Sequence, residues 1–171
     1  MSDSPLMKLS RDLVARDPAE LVADSPQTAV SRWARGEQTL QELKGYSAEE
    51  VYAISQQGYS LFLNGKVRDA QVVFEGLVAL DPRNDYHYRA LGVIYHRLGD
   101  VERALRQFTH AITVAPRNPA GYVNRAEVHI ARRDMGRALA DLEKAVRAAP
   151  SGDDPVARKA HALRRLLNGV V

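Results

Sequence analysis

From about residue 48 onward, apolar residues return at spacings of three and four, the period of an α-helix with one buried face. Tyr88, Leu91, Gly92 and Tyr95 share such a face. Short polar turns interrupt the pattern, and the pattern with its turns recurs every 34 residues. Pro82, Pro116 and Pro150 stand in one phase of the repeat, Ala70, Ala104 and Ala138 in a second, and Phe74, Phe108 and Leu142 in a third. Leu77, Ala111 and Ala145 take a fourth, and Gly65-Lys66, Gly99-Asp100 and Arg133-Asp134 mark one turn inside each unit. Such a period ending in proline is the signature of stacked helix–turn–helix repeats. The units span 51–84, 85–118 and 119–152. Their first helices are predicted over 48–64, 86–98 and 120–132, and their second helices over 67–80, 101–114 and 135–148.

Local signals agree. Ser47 with Glu50 forms a capping box at the start of the array. Gly65 and Gly99 can take the positive φ that ends a helix tightly, and each repeat proline removes a donor just beyond a second helix. Gly58, Gly92 and Ala126 recur in phase inside the first helices, where a neighbouring helix must come close. Asp153-Asp154-Pro155 then opens a capping helix over 155–168, with Val156, Ala160, Leu163 and Leu167 along one stripe to cover the open end of the stack. Fraying is expected over 166–171.

Residues 1–46 do not follow the repeat. Ser4-Pro5, Asp17-Pro18 and Ser25-Pro26 each read as an N-cap followed by a first-turn proline. The third opens a predicted helix running to about Lys44, with Ala29, Trp33, Leu40 and Leu43 on one side and Gly36 as its weak point. An isolated amphipathic helix is marginal in water. This one must therefore pack on its own array or on another subunit, which makes Trp33, Leu40 and Leu43 candidate dimer contacts. The extension is expected to be partly mobile or dimerising, and 47–171 to form the repeat domain.

Composition narrows the function. There is no cysteine among the 171 residues, hence no disulfide framework and no thiolate nucleophile or metal ligand. Neither a signal-peptide pattern nor a run of about 18 apolar residues is present, so a soluble, cytoplasmic protein is expected. The net charge of +3 is too mild for a dedicated nucleic-acid binder. Arg158, Lys159, Arg164 and Arg165 concentrate it near the C-terminus, as a solvated outer face or a phosphate-binding patch. No glycine-rich phosphate cradle appears. His87, His96, His110, His129 and His161 form no metal-binding pair, and the acids Glu49-Glu50 and Asp153-Asp154 stand at helix starts, where the helix dipole favours them. No catalytic residue, metal or cofactor is expected, and the chain reads as a non-enzyme.

Function then falls to the concave face, lined by the first helix of each unit. The second, fifth, ninth, twelfth and thirteenth positions of the repeat unit hold Tyr52, Ser55, Tyr59, Phe62 and Leu63 in the first unit. The second unit places Tyr86, Arg89, Val93, His96 and Arg97 there, and the third Ala120, Val123, Glu127, Ile130 and Ala131. A lining rich in aromatics marks a partner site, unless the chain's own N-terminal helix covers it. The candidate peptide contacts are Tyr52, Ser55, Tyr59, Phe62, Tyr86, Arg89, Val93, His96 and Glu127.

By period and residue type, 51–152 resembles the tetratricopeptide repeat family. The implied fold is all-α, with three repeats in a right-handed superhelix, an N-terminal helical extension and a C-terminal capping helix. Members that grip the C-terminal carboxylate of heat-shock proteins carry lysine, asparagine or arginine where this chain has Ser55, Tyr59, Val123 and Glu127, so no carboxylate clamp is expected. A narrower likeness lies in GEQTLQELKGYSAEE (36–50) and GYSLFLNGKVRDAQVVFEGLVALDPRND (58–85). These resemble the class II chaperones of bacterial type III secretion, with their glycine-threonine-leucine helix, tyrosine-rich first repeat and asparagine-glycine-lysine turn. Tyr88, Leu91, Gly92 and Gly99 match the second repeat, and Ala126-Glu127 the third. Tyr95-His96-Arg97 departs from that family's cysteine-arginine-glutamine. The resemblance implies a cytosolic homodimer that keeps hydrophobic secreted translocator proteins soluble, binding an extended proline- and leucine-containing segment in the groove without ATP, nucleic acid or membrane. Two other readings remain: a generic repeat scaffold for protein–protein assembly, and an RNA-associated repeat protein using the basic tail.

Overall fold

The structure is a computed structural model that describes residues 26–149 and 154–169. The Ser4-Pro5 and Asp17-Pro18 pairs, Ser25, Pro150, Asp153 and the last two residues lie outside the described residues. The chain divides into two compact units at Gly45/Tyr46.

In the first unit the single predicted helix is in fact two. Helix α1 spans Pro26–Ala34 and α2 spans Leu40–Lys44. Gly36 sits between them at φ 72°, a left-handed conformation that cannot continue a helix. Thr39 then starts α2 with its own capping box: its hydroxyl accepts from the Glu42 amide, and the Glu42 carboxylate accepts from the Thr39 amide. The predicted helix breaks at Gly36, its weak point, and the T-L-Q-E tetrad carries the signal for the second start. Trp33 is exposed, and Leu40 and Leu43 are half-buried.

In the second unit the paired helices follow the predicted register within one residue. They are α3 (Ala48–Leu63) with α4 (Val67–Leu80), α5 (Asp85–Arg97) with α6 (Val101–Val114), and α7 (Pro119–Ala131) with α8 (Met135–Ala148). The capping helix α9 spans Pro155–Asn168 and packs on α7 and α8. It stays helical through Leu166 and Leu167, where fraying had been expected; the half-buried Leu167 packs with Leu163 on the core of the third repeat.

The period reappears as bonds. Asn84 and Asn118 cap the first helices of the second and third repeats through the Tyr86 and Ala120 amides. Asp100 and Asp134 cap the second helices through the Arg103 and Arg137 amides. The Tyr88 hydroxyl donates to the Pro82 carbonyl at 3.2 Å, and Tyr122 repeats this on Pro116 at 3.3 Å. The turns within the repeats use Gly65 and Gly99 at φ 76° and 81°, whereas the third uses Arg133 at φ 60°. A side chain in that region costs about 1–2 kcal/mol, so the third turn is the most strained of the three.

The core falls into two clusters, one under the first two repeats and one under the third repeat and the capping helix, built on the same alternation of small and large residues. Ala70, Ala104 and Ala138 are fully buried, and Phe74, Phe108 and Leu142 stand beside them at 1%, 2% and 0% exposure. A Cβ on Gly58 would come within 2.8 Å of Phe74, and one on Gly92 within 2.5 Å of Phe108. In the third repeat the ring gives way to Leu142, and Ala126 replaces glycine.

Candidate functional site

Helices α3, α5 and α7 turn faces toward two adjoining cavities, α3 toward the first alone. The first, about 180 Å³, is closed on the α3 side by Tyr59 and Phe62. Its floor is Phe74 from α4 with Ile94 from α5, and Tyr86, Arg89, Ala90, Val93 and Asn124 complete the wall. The second, about 250 Å³, is bounded by Val93 and His96 of α5, Phe108 of α6, and Asn124, Glu127 and Val128 of α7. Val93 and Asn124 belong to both.

The rings keep their positions for identifiable reasons. Tyr86 meets Phe74 edge to face at a centroid distance of 6.2 Å. The favourable quadrupole geometry fixes its plane, and burial pushes its hydroxyl above the usual tyrosine range. The Arg89 guanidinium lies 5.7 Å from the Tyr86 ring centroid. Its Nε donates to Asp85 Oδ2 at 2.8 Å, one turn back on the same helix. The same carboxylate oxygen accepts from Asn118 Nδ2 at 2.8 Å, which ties the cation to the residue that caps α7. Arg89 is thus a charged donor held at the edge of an otherwise apolar cavity.

Of the residues expected in the groove, Tyr59, Phe62, Tyr86, Arg89 and Val93 line the first cavity, and Val93, His96 and Glu127 the second. Tyr52 lines neither and is 65% exposed, while Tyr59 is 47% exposed, so the two tyrosine rings stand largely outside the core. Ser55 corrects the sequence reading. It is 3% exposed, and its hydroxyl donates to the Tyr52 carbonyl at 2.7 Å, so it belongs to the packing of α3 and not to an open surface. Val123, assigned to the concave face by the same rule, is also buried, at 2%. Glu127 Oε1 accepts from Lys159 of the capping helix at 2.7 Å, which leaves its charge balanced.

Asn124 was missed. It occupies the sixth position of its helix, outside the five positions read as inward. The signal was available in its phase partner Ala90, one period earlier on the first cavity's wall.

His87 is buried at 2% exposure, and its Nδ1 has no hydrogen-bond partner among the described residues. Burial holds its pKa below the usual 6.5, against the opposing pull of Asp81 and Asp85. The unfolded chain therefore takes up a proton near pH 6.5 that the folded chain refuses. This contribution to stability is complete above pH 6.5 and is lost as pH falls from there toward the lowered folded value. Thermal melts at about pH 7.5 and about pH 5.5 will show a lower Tm at the acid value, and His87→Leu will narrow the gap.

The family model for the tetratricopeptide repeat matches residues 55–109 and 97–153. The chain belongs to the tetratricopeptide repeat family. It has the helical-repeat architecture of that family, in which stacked helix pairs present a surface. No curated protein sequence matches it.

Solved structures share the fold of this repeat protein. The type III secretion translocator chaperone SycD of Yersinia enterocolitica superposes with a TM-score of 0.71 at 18% identity, over 75% of this chain and 98% of SycD. SycD with a peptide of the translocator YopD gives 0.66 at 16% identity, over 72% and 96%, and SycD has also been solved as an alternative dimer. PcrH of Pseudomonas aeruginosa, in complex with the chaperone binding region of PopD, gives 0.65 at 24% identity, over 74% and 96%. At such identities the likeness carries the fold alone. Among the described residues no helix is long and apolar enough to cross a membrane.

Proposed function

We propose that this protein is a cytoplasmic chaperone for hydrophobic secreted proteins of the translocator type, and that it holds an extended client segment along the face shared by α3, α5 and α7. The supporting observation is the open apolar cavity between Tyr59, Phe62 and Tyr86, with Arg89 and Asn124 at its edge. A cavity of about 180 Å³ takes one or two aliphatic side chains. Burying each stabilises the complex by about 1.5–3 kcal/mol before ordering costs. Arg89 and Asn124 supply donors for client carbonyls flanking the anchor. SycD and PcrH, which share this fold, are solved with translocator segments, and the narrow resemblance across 36–85 points to the same use.

Two parts of the reading rest on the first unit. The exposed Trp33, with Leu40 and Leu43, is proposed as a homodimer contact, and 1–46 as an extension distinct from the repeat domain at 47–171. No catalytic step, metal or cofactor enters the proposal.

Co-purification of the full chain from its native cell, followed by mass spectrometry, tests it. Membrane-inserting secreted proteins will be recovered with the wild type and lost from a Tyr59→Ala, Phe62→Ala variant. Recovery of stable soluble complexes only, unchanged in that variant, would replace this reading with a general assembly scaffold.

A further inference from the structure

A third cavity, about 350 Å³, shares no lining residue with the other two. It lies where α6 of the second repeat meets α7 and α8 of the third. Leu105 and Thr109 contribute from α6, Arg125 and His129 from α7, and Arg137, Asp141 and Lys144 from α8. Arg125 and His129 are one turn apart on α7, on a different face from the groove residues Asn124 and Glu127.

The wall is built, and its inner charge is cancelled. Arg125 donates through Nε and Nη2 to the two carboxylate oxygens of Asp141 at 2.8 and 2.7 Å, and through Nη1 to Thr109 Oγ1 at 2.9 Å. Asp141 is 4% exposed, so this paired geometry is held by packing on both sides. His129 Nε2 lies 4.0 Å from Asp141 Oδ2. With Asp141 neutralised by Arg125, the cations at the mouth are left over. Lys144 is exposed and has no carboxylate partner among the described residues, and Arg137 reaches Asp134 only at 3.4 Å with its side chain 74% exposed. The surroundings reinforce the sign: from Arg97 to the C-terminus, 14 lysines and arginines face 8 acids, so the whole end of the array attracts anions.

We propose that this cavity is a second binding site, separate from the groove, for an acidic segment of a partner protein. A glutamate or aspartate carboxylate would sit between Lys144 and Arg137, with its aliphatic stem against Leu105. The lining favours a peptide over a nucleic acid. It offers no phenylalanine, tyrosine or tryptophan for base stacking, and only two exposed cations at its mouth, one of them already paired with Asp134, too few to follow a phosphate backbone.

The test uses the full chain and a short fluorescein-labelled peptide of alternating glutamate and leucine, read by anisotropy at low salt. Wild type will bind it, and binding will weaken as the Debye length shrinks to about 3 Å. The exposed substitutions Lys144→Glu and Arg137→Glu will each lower affinity about 5-fold or more, while Lys144→Arg will keep it. Tyr59→Ala will leave it unchanged, which separates this site from the groove. Absence of binding by the wild type, equal affinity in the charge-reversed variants, or loss in Tyr59→Ala would overturn the proposal. So would tighter binding of a single-stranded RNA oligomer that depends on Lys144 and Arg137.

Discussion

Cutting Phe108 back to alanine will destabilise the repeat domain by about 3–5 kcal/mol, a large part of the 5–15 kcal/mol that holds a domain of this size. Phe108 is 2% exposed and fills the space above Gly92, whose missing Cβ it occupies. The converse substitution, Gly92→Ala, gains helix propensity of about 1 kcal/mol but drives a methyl group to 2.5, 2.7 and 2.8 Å from three ring carbons. Overpacking of that kind costs about 1–3 kcal/mol. The third repeat carries the natural solution, Ala126 opposite Leu142, both at 0% exposure. Gly92→Ala combined with Phe108→Leu will therefore be more stable than the sum of the two single effects by about 0.5 kcal/mol or more. Urea unfolding of the four proteins, with unchanged m values, measures this; strict additivity would show that ring and glycine are not coupled.

The second large effect concerns the proposed groove. Tyr59→Ala with Phe62→Ala will weaken binding of an extended apolar client segment by about 100-fold or more, since buried aromatic anchors are worth about 2 kcal/mol each. Tyr59 is about half exposed, so its removal alone will leave helicity and Tm nearly unchanged. Phe62 also packs on the core cluster, so the double variant will melt at a lower temperature. Titration calorimetry on Tyr59→Ala alone keeps the two effects apart. A client affinity equal to wild type in that variant would remove the first cavity from the binding site.

The repeat domain was legible because one physical pattern is written three times. Helix ends fall where Asn84, Asn118, Asp100 and Asp134 supply caps and where glycine can reverse the chain. Each such residue acts within three or four positions of itself. The first unit was harder, since two signals competed there: the apolar spacing of Ala29, Trp33, Leu40 and Leu43 suits one helix, whereas Gly36 and the Thr39–Glu42 box impose two. The local bonds prevailed. The groove was legible as a face but not residue by residue. Ser55 and Val123 sit at positions that a repeat rule sends inward, yet the depth at which one helix settles on the next decides whether such a side chain lines a cavity or closes it. Asn124 shows the reverse, a residue one step off the rule that stands between two cavities. The third cavity could not be read from sequence, because Thr109, Arg125 and Asp141 meet only through the packing of three helices.

Val93 and Asn124 stand in the walls of both cavities. On the proposed use of the groove, a client chain lying across them sets one foot in each cavity. Once the first is down, the second is found at high local concentration, so two weak grips combine into one serviceable hold. The same division makes letting go easy.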